Sequence, residues 1–227
     1  SIRQMPGTRP VMTAAIVGLL LLMTFIGGRI IAPAVAGTLE KRGISLEARV
    51  QPRIEGMLLI ILPLALVLAF MPFATAVAGL LLVISAFLVV VRAIRWKLWH
   101  CGNRPDLLVL TFGYLWLAAG AGATGFSLLQ RTDPIPAIHL ITIGALGTLS
   151  TSVMLRLAWQ RARRTTPPSW QVTGIAIGMA IAALARLDAG VTPFAKPHVL
   201  WLSAVSWSGT YALVALQLVM LFRNSRK

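Results

Sequence analysis

The 227 residues are 57% hydrophobic and 12% charged, with a mean hydropathy of +0.82. A soluble globular domain carries about 25% charged residues, so the composition excludes that class and predicts a polytopic membrane protein. The net charge of +15 does not indicate nucleic-acid binding, because the Lys and Arg residues of membrane proteins mark cytoplasmic loops and contact anionic headgroups. A single cysteine, Cys101, excludes internal disulfides and clusters of cysteine ligands.

Seven apolar segments follow one another along the chain, and the length of each is close to the roughly 20 residues that a helix needs to cross hydrocarbon. Because the apolar runs are unbroken, they do not fit lipid-facing strands. We therefore predict an all-α integral membrane protein of about seven transmembrane helices, forming a single domain over residues 1–227. The predicted helices are Val11–Ala36, Ile54–Pro72, Ala74–Arg95, Leu107–Leu129, Ala137–Trp159, Val172–Ala189 and Val199–Phe222.

The loops between these helices predict the orientation. If the helices alternate, 15 of the 21 Lys and Arg residues fall on one side, Arg92 and Arg156 among them, and four fall on the other. The positive-inside rule makes the first side cytoplasmic, so the N-terminus is predicted outside and the C-terminus in the cytoplasm. An outside N-terminus, an odd number of helices and an opening Ser1 suggest the C-terminal part of a longer protein.

Two of the three histidines are candidate metal ligands. His139 and His198 lie in or just before the first turn of the fifth and seventh predicted helices. These helices run in the same direction, so both imidazoles are expected at the outer end of the bundle. Neutral imidazole binds haem iron and copper, and two such groups can hold one haem or share a metal. The alternative is that both are unrelated interfacial residues at headgroup level.

Other residues of the spans are candidates for roles beside the histidines. Gly144 and Gly147 remove side chains near one face of the fifth helix, where a flat macrocycle or a neighbouring helix can approach. Arg29 can snorkel to the surface or bind an anionic group such as a propionate. On the sixth helix, Asp188 is a candidate acceptor for an imidazole N–H, and Arg186 is expected to snorkel to the headgroups.

Three segments resemble one family, in the order in which that family has them. "HLITIGALGTLSTSVMLR" (His139–Arg156) is similar to the His-x-x-Thr-x-Gly-Ala-x-Gly segment of the NnrS family. "TFIGGRIIAP" (Thr24–Pro33) is similar to its Gly-Gly-Arg-x-Ile-x-Pro element, and "PDLLVLTFGYLWLAAG" (Pro105–Gly120) resembles its Gly-Tyr-x-Trp-Leu helix. Members of this family are membrane proteins associated with nitric oxide metabolism and reported to carry haem and copper.

The resemblance implies a bacterial inner (plasma) membrane protein of about twelve helices, about five of them ahead of this chain. It also implies that His139 is a haem or copper ligand, and that Arg29 and Tyr114 belong to the shared core. The expected cofactor is haem b, with copper as a second candidate, and no catalytic residue is predicted. The candidate cofactor-binding residues are His139, His198, Arg29, Tyr114, Gly144 and Gly147.

The chain departs from the family pattern in two places. The early histidine-bearing helices are absent, and a Gly-His-Thr-Gly-Arg-like ending is replaced by Trp159–Arg163. A ligand from either region is lost, so the chain is expected to bind an incomplete cofactor set or to need a partner. The expected partners are the lipid bilayer and another membrane subunit or the missing N-terminal helices.

The predicted function is an NnrS-like haem-binding membrane protein, with copper as a further candidate, in nitric oxide metabolism or respiratory electron transfer. The alternative is a cofactor-free structural or assembly subunit of a membrane respiratory complex. A transporter is a third and weaker alternative, since no inverted repeat is visible. In the structural alternative, close packing involves Gly120, Gly122, Gly125, Gly174 and Gly178.

Overall fold

The computed structural model describes residues 8–224, and both chain termini lie outside this range. The described part is helical and contains no strand. Seven of its helices are long and apolar enough to cross a membrane. This result confirms the predicted all-α membrane class and the number of spans, whereas the side of the membrane on which each end lies remains a prediction.

The observed helices begin and end close to the predicted spans, with one irregularity. A π-helical turn, Leu140–Ala145, joins two helices without a break, so that one continuous span covers Ile135–Arg163. The sequence predicted a regular helix here, and its apolar pattern did not indicate the π turn. In chain order the helices are α1 (Thr8–Glu40), α2 (Pro52–Ala69), α3 (Thr75–Arg95), α4 (Pro105–Leu129), α5 (Ile135–His139), α6 (Leu146–Arg163), α7 (Ser169–Asp188) and α8 (Pro197–Asn224).

Prolines and left-handed residues set the helix ends. Pro52 and Pro105 occupy the first turns of α2 and α4. Backbone N–H groups in a first turn have no hydrogen-bond partner within the helix, so proline, which lacks an N–H, is tolerated there. Lys97, after α3, and Arg164, at the end of α6, adopt positive φ angles of 52° and 54°, which an α-helix cannot continue. A 3-10 turn at Pro72–Ala74 makes a tight hairpin between the second and third spans.

Neighbouring helices alternate in direction, as the contacts between α3 and α4 show. Gly79 near the start of α3 meets Gly125 near the end of α4. Further along, Arg92 of α3 contacts Tyr114, which comes earlier in α4. Residue numbers rise along one helix as they fall along the other, so the pair is antiparallel.

The central helix of the bundle is α4, which packs against α1, α3, α5, α6 and α7. Buried apolar side chains form a large cluster around α1 to α4 and a smaller one between α4, α6, α7 and α8. Large apolar side chains such as Ile60, Phe87 and Trp201 are exposed on the outside, as contact with lipid tails requires.

The two ends of the bundle are named here by their loops. The basic end carries the loops 41–51, 96–104 and 164–168, and the opposite end carries the loops 70–74, 130–134 and 189–196.

Candidate functional site

His139 is the last residue of α5 and stands immediately before the π turn. Its neighbours Ala137, Ile138 and Leu140 are buried, and the histidine itself is partly buried. The Nε2 atom is shielded from solvent and has no hydrogen-bond partner among the described residues. A buried imidazole nitrogen without a partner is unfavourable, and it leaves this atom free to bind a ligand.

The π turn that follows His139 is packed tightly against α4. Ile141 fills the space beside Gly120 of α4, and the Trp116 ring of α4 covers Gly144. π-helical turns inside longer helices occur frequently at functional sites. The irregular backbone and the unpaired imidazole therefore mark the same part of the bundle.

Gly144 and Gly147, the glycines expected to make room for a macrocycle or a helix, are both covered by side chains. A Cβ at Gly144 would lie 2.8 Å from the ring of Trp116, and one at Gly147 would lie 2.7 Å from the Sδ atom of Met179. The two glycines allow α4 and α7 to pack closely on this span. The space that a macrocycle would need against them is filled.

His198 has different surroundings from His139. It lies in the first turn of α8, and its side chain is exposed. Asp188, considered from the sequence as an imidazole acceptor, instead accepts from Lys196, with 3.0 Å between Nζ and Oδ1. That a haem or metal is shared by the two histidines stays a prediction.

Arg186 is a charged residue on α7, the helix that packs against α5 and its last residue, His139. Helix α7, which carries Arg186, packs on α5, and the positive charge of Arg186 acts on the His139 imidazole. The Nη1 atom of Arg186 is buried and has no hydrogen-bond partner within residues 8–224. The snorkelling predicted for Arg186 stays a prediction, whereas the packing of α7 on α5 could not be derived from the local pattern around Arg186.

Arg29 and Tyr114, the other two candidates, lie in different environments. Arg29 is exposed on the outside of α1, whereas Tyr114 is fully buried in α4. The Tyr114 hydroxyl donates to the Thr24 carbonyl at 3.2 Å and accepts from Arg92 Nη1 at 3.1 Å. Tyr114 therefore belongs to an internal polar network centred on Arg92.

Arg92 connects four helices in a network that sequence reasoning missed. It is 2% exposed, and its Nη2 atom donates to Glu55 Oε1 at 2.6 Å. Its Nη1 atom also donates to the Thr24 carbonyl at 3.2 Å, and its guanidinium lies 5.7 Å from the centre of the Trp96 ring. A Cβ at Gly28 would lie 2.5 Å from Arg92 Cζ, so the guanidinium takes the place of a side chain there.

Arg92 is therefore an internal residue of the bundle, although the sequence only placed it with the cations of the cytoplasmic side. One feature of the sequence could have located it. Glu55 and Arg92 lie at similar distances along the chain before and after the Phe70–Ala74 corner. A tight hairpin at this corner therefore brings the two charges to the same depth in the bundle. In the Gly-Gly-Arg motif, Gly27 lies against the Tyr114 ring and Gly28 against the Arg92 guanidinium, whereas Arg29 is exposed.

A second charged cluster ties α4 to α6 near the basic end. Asp106 is 2% exposed and accepts two hydrogen bonds of 2.9 Å from Arg104. Arg156 of α6 pairs with the same carboxylate at 3.1 Å. The hydrogen bond to Asp106 raises the pKa of Arg104. Arg156, counted from the sequence among the loop cations, is thus also part of the bundle.

The described residues offer few further metal ligands. Within residues 8–224, no group of three or more His, Cys, Asp or Glu side chains could hold a metal ion. Burial raises the pKa of the Cys101 thiol, which disfavours the thiolate that binds metals. An apolar cavity of about 360 Å³ between α1, α4 and α6 is lined by Met23 and Met154 but by neither histidine candidate.

The fold and the site together define a class, a multi-pass helical membrane protein with an unpaired histidine at a π turn inside its bundle. The family model described as NnrS protein matches residues 2–226. The chain belongs to the NnrS family. Neither the curated proteins nor the solved structures that were compared with it match the chain.

Proposed function

We propose that this chain binds haem b at His139, with copper as a second candidate, and acts as an NnrS-type protein in nitric oxide metabolism or respiratory electron transfer. The observation that carries the proposal is the buried, unpartnered Nε2 atom of His139. The π turn beside it and membership of the NnrS family support the same function.

Haem is favoured over copper by the number of protein ligands at hand. Haem iron receives its equatorial nitrogens from the porphyrin and needs as little as a single protein ligand. Copper sites gather several histidine, cysteine or methionine side chains. In the described part of the chain, His139 belongs to no group of three or more His, Cys, Asp or Glu side chains. This favours haem, which needs fewer protein ligands than copper.

The residues around His139 fit a bound haem in part. The Nε2 atom of His139 is shielded from solvent, so a metal held there would be kept from water. Gly144 and Gly147 are filled by neighbouring side chains, so they leave no room for a porphyrin. When bound, the metal supplies one-electron chemistry and a position for a small ligand.

The first test is an absorption spectrum of the detergent-purified protein, oxidised and reduced, with a pyridine haemochrome and metal analysis on the same sample. We expect a b-type spectrum with about one haem per chain. His139→Ala should lose it, and His100→Ala is the matched control because His100 is exposed at the basic end. Full haem content in His139→Ala would place the ligand elsewhere.

The same experiment includes the second histidine candidate. If His198 is the ligand on the other face of the iron, His198→Ala should change the spectrum from a six-coordinate to a five-coordinate form while most of the haem is kept. An unchanged spectrum would show that His198 does not bind the iron.

A cofactor-free structural or assembly subunit is the second candidate function. One observation favours it: Trp116 and Met179 fill the space at Gly144 and Gly147, as expected of glycines used for packing. This candidate predicts a purified protein that is colourless, contains neither haem nor copper, and co-purifies with a larger membrane complex.

A further inference from the structure

Arg186 and His139 are both partly buried, and each has one shielded nitrogen atom that lacks a hydrogen-bond partner among the described residues. The Nη1 atom of Arg186 and the Nε2 atom of His139 are both shielded from solvent and make no hydrogen bond among the described residues. The two side chains are close enough for the charge of one to act on the other. They come from α7 and α5, which pack together near the opposite end of the bundle.

Arg186 takes part in none of the ion pairs found among residues 8–224, and its Nη1 atom has no hydrogen-bond partner there. Asp188, two residues away, is exposed and paired with Lys196 at 3.0 Å. An arginine cannot shed its charge, and an uncompensated charge inside a membrane bundle is strongly unfavourable.

The packing of α7 on α8 gives the depth of Arg186. Gly178 of α7 meets Thr210 of α8, and the Ser203 hydroxyl donates to the Ala182 carbonyl four residues further along α7. This antiparallel register places Arg186 level with the first turn of α8, close to the end of the bundle. The guanidinium is therefore within reach of a ligand that enters from that end.

We propose that Arg186 binds an oxygen anion, a carboxylate or a small oxyanion, beside the group held at His139. A guanidinium presents two parallel N–H donors that match a carboxylate or oxyanion. If haem is bound, which rests on the proposed function, the anion is a propionate carboxylate of the porphyrin. If no haem is bound, the same guanidinium takes a free anion.

The experiment compares two probes that differ only in their carboxylates, iron protoporphyrin IX and its dimethyl ester. Each is titrated into haem-free protein in detergent, and binding is followed in the Soret band. We expect the wild type to bind the free acid at least about tenfold more tightly than the ester. Arg186→Gln should bind both equally, whereas Arg131→Gln, an exposed arginine at the same end of the bundle, should keep the preference.

A second arm tests free anions without haem. Acetate and nitrite are added to the haem-free protein at constant ionic strength, and the thermal unfolding midpoint is measured. We expect a rise in the wild type and in Arg131→Gln that Arg186→Gln does not show. If Arg186→Gln does not fold, Arg186→Lys replaces it and should keep the charge but lose most of the preference for the free acid.

The outcomes separate the two proposals. A preference for the free acid that depends on Arg186 supports both and identifies the anion as a propionate. Stabilisation by acetate or nitrite without any haem binding supports the Arg186 site and overturns the haem function. Equal binding of acid and ester with no anion effect overturns the Arg186 site and leaves the haem function standing. A protein that binds none of the probes overturns both.

Discussion

At the scale of single residues, Gly28 shows how a missing side chain allows a charge to be buried. The Arg92 guanidinium occupies the space where a Cβ of residue 28 would be, and from there it reaches Glu55 and the Tyr114 hydroxyl. A buried ion pair is tolerated only when its geometry is good and its remaining hydrogen bonds are made. Gly28 is therefore a requirement of this ion pair.

Replacing Gly28 tests this requirement. Gly28→Ala should destabilise the protein by about 1–3 kcal/mol, the range for overfilling a packed interior, because a Cβ would lie 2.5 Å from Arg92 Cζ. Gly37→Ala is the matched control on the same helix, since no atom lies within 4 Å of a Cβ there. Thermal unfolding in detergent measures both, and equal midpoints for the two variants would contradict the assignment.

Among the candidate residues, chemistry was easier to predict than position. His139 stood out because an imidazole inside an apolar segment is conspicuous, and the structure places it at a π turn with a free nitrogen. Arg29 stood out in the same way, yet it is exposed, while its neighbour Gly28 contacts the buried network. A glycine gives no chemical sign of its role, because that role depends on a side chain from another helix.

At the scale of helices, α3 and α4 cross with their backbones close together at Gly79 and Gly125. A Cβ at Gly125 would lie 2.5 Å from the carbonyl oxygen of Gly79, and one at Gly79 would lie 2.6 Å from that of Gly125. Small residues let membrane helices approach until their backbones touch. In a bilayer, where burial of apolar surface gives no driving force between helices, this contact area holds the pair together.

Substitution at the crossing should separate the two helices. Gly125→Ala is expected to lower the unfolding midpoint and to expose the interface, because the obstructing atom is backbone and cannot rotate away. Gly122→Ala, on the same helix, meets only Ala86 Cβ at an ordinary 3.5 Å and should be nearly neutral or slightly stabilising. Tryptic digestion in detergent reports the difference, and a Gly125→Ala protein as resistant as Gly122→Ala would exclude this role.

At the scale of the whole molecule, the sequence predicted the spans well and their contacts poorly. The seven spans were found because length and apolar character are local properties of each segment. The Arg92 network and the packing of α7 on α5 were missed because they depend on how helices face one another. The π turn was missed because an extra residue in a uniformly apolar run leaves no trace in the pattern.

The orientation of the whole bundle can be tested with single cysteines. In a Cys101→Ser background, Gly102→Cys puts an exposed thiol at the basic end and Phe194→Cys puts one at the opposite end. Because basic loops stay in the cytoplasm, a membrane-impermeant maleimide should label intact spheroplasts only at residue 194. After lysis both should react, and labelling of residue 102 in intact spheroplasts would reverse the predicted orientation.

The π turn also sets where this span could change its length. A π-helical turn holds one residue more than a regular α-helix would over the same stretch. Deleting a single residue from Leu140–Ala145 would therefore let a continuous α-helix form while the two ends of the span kept their orientation, with His139 near Arg186 and Gly147 against Met179. The same deletion within Leu146–Arg163 would rotate the two ends of the span relative to each other by about 100°. The span can therefore lose a residue at the π turn, but not in the regular helix that follows it.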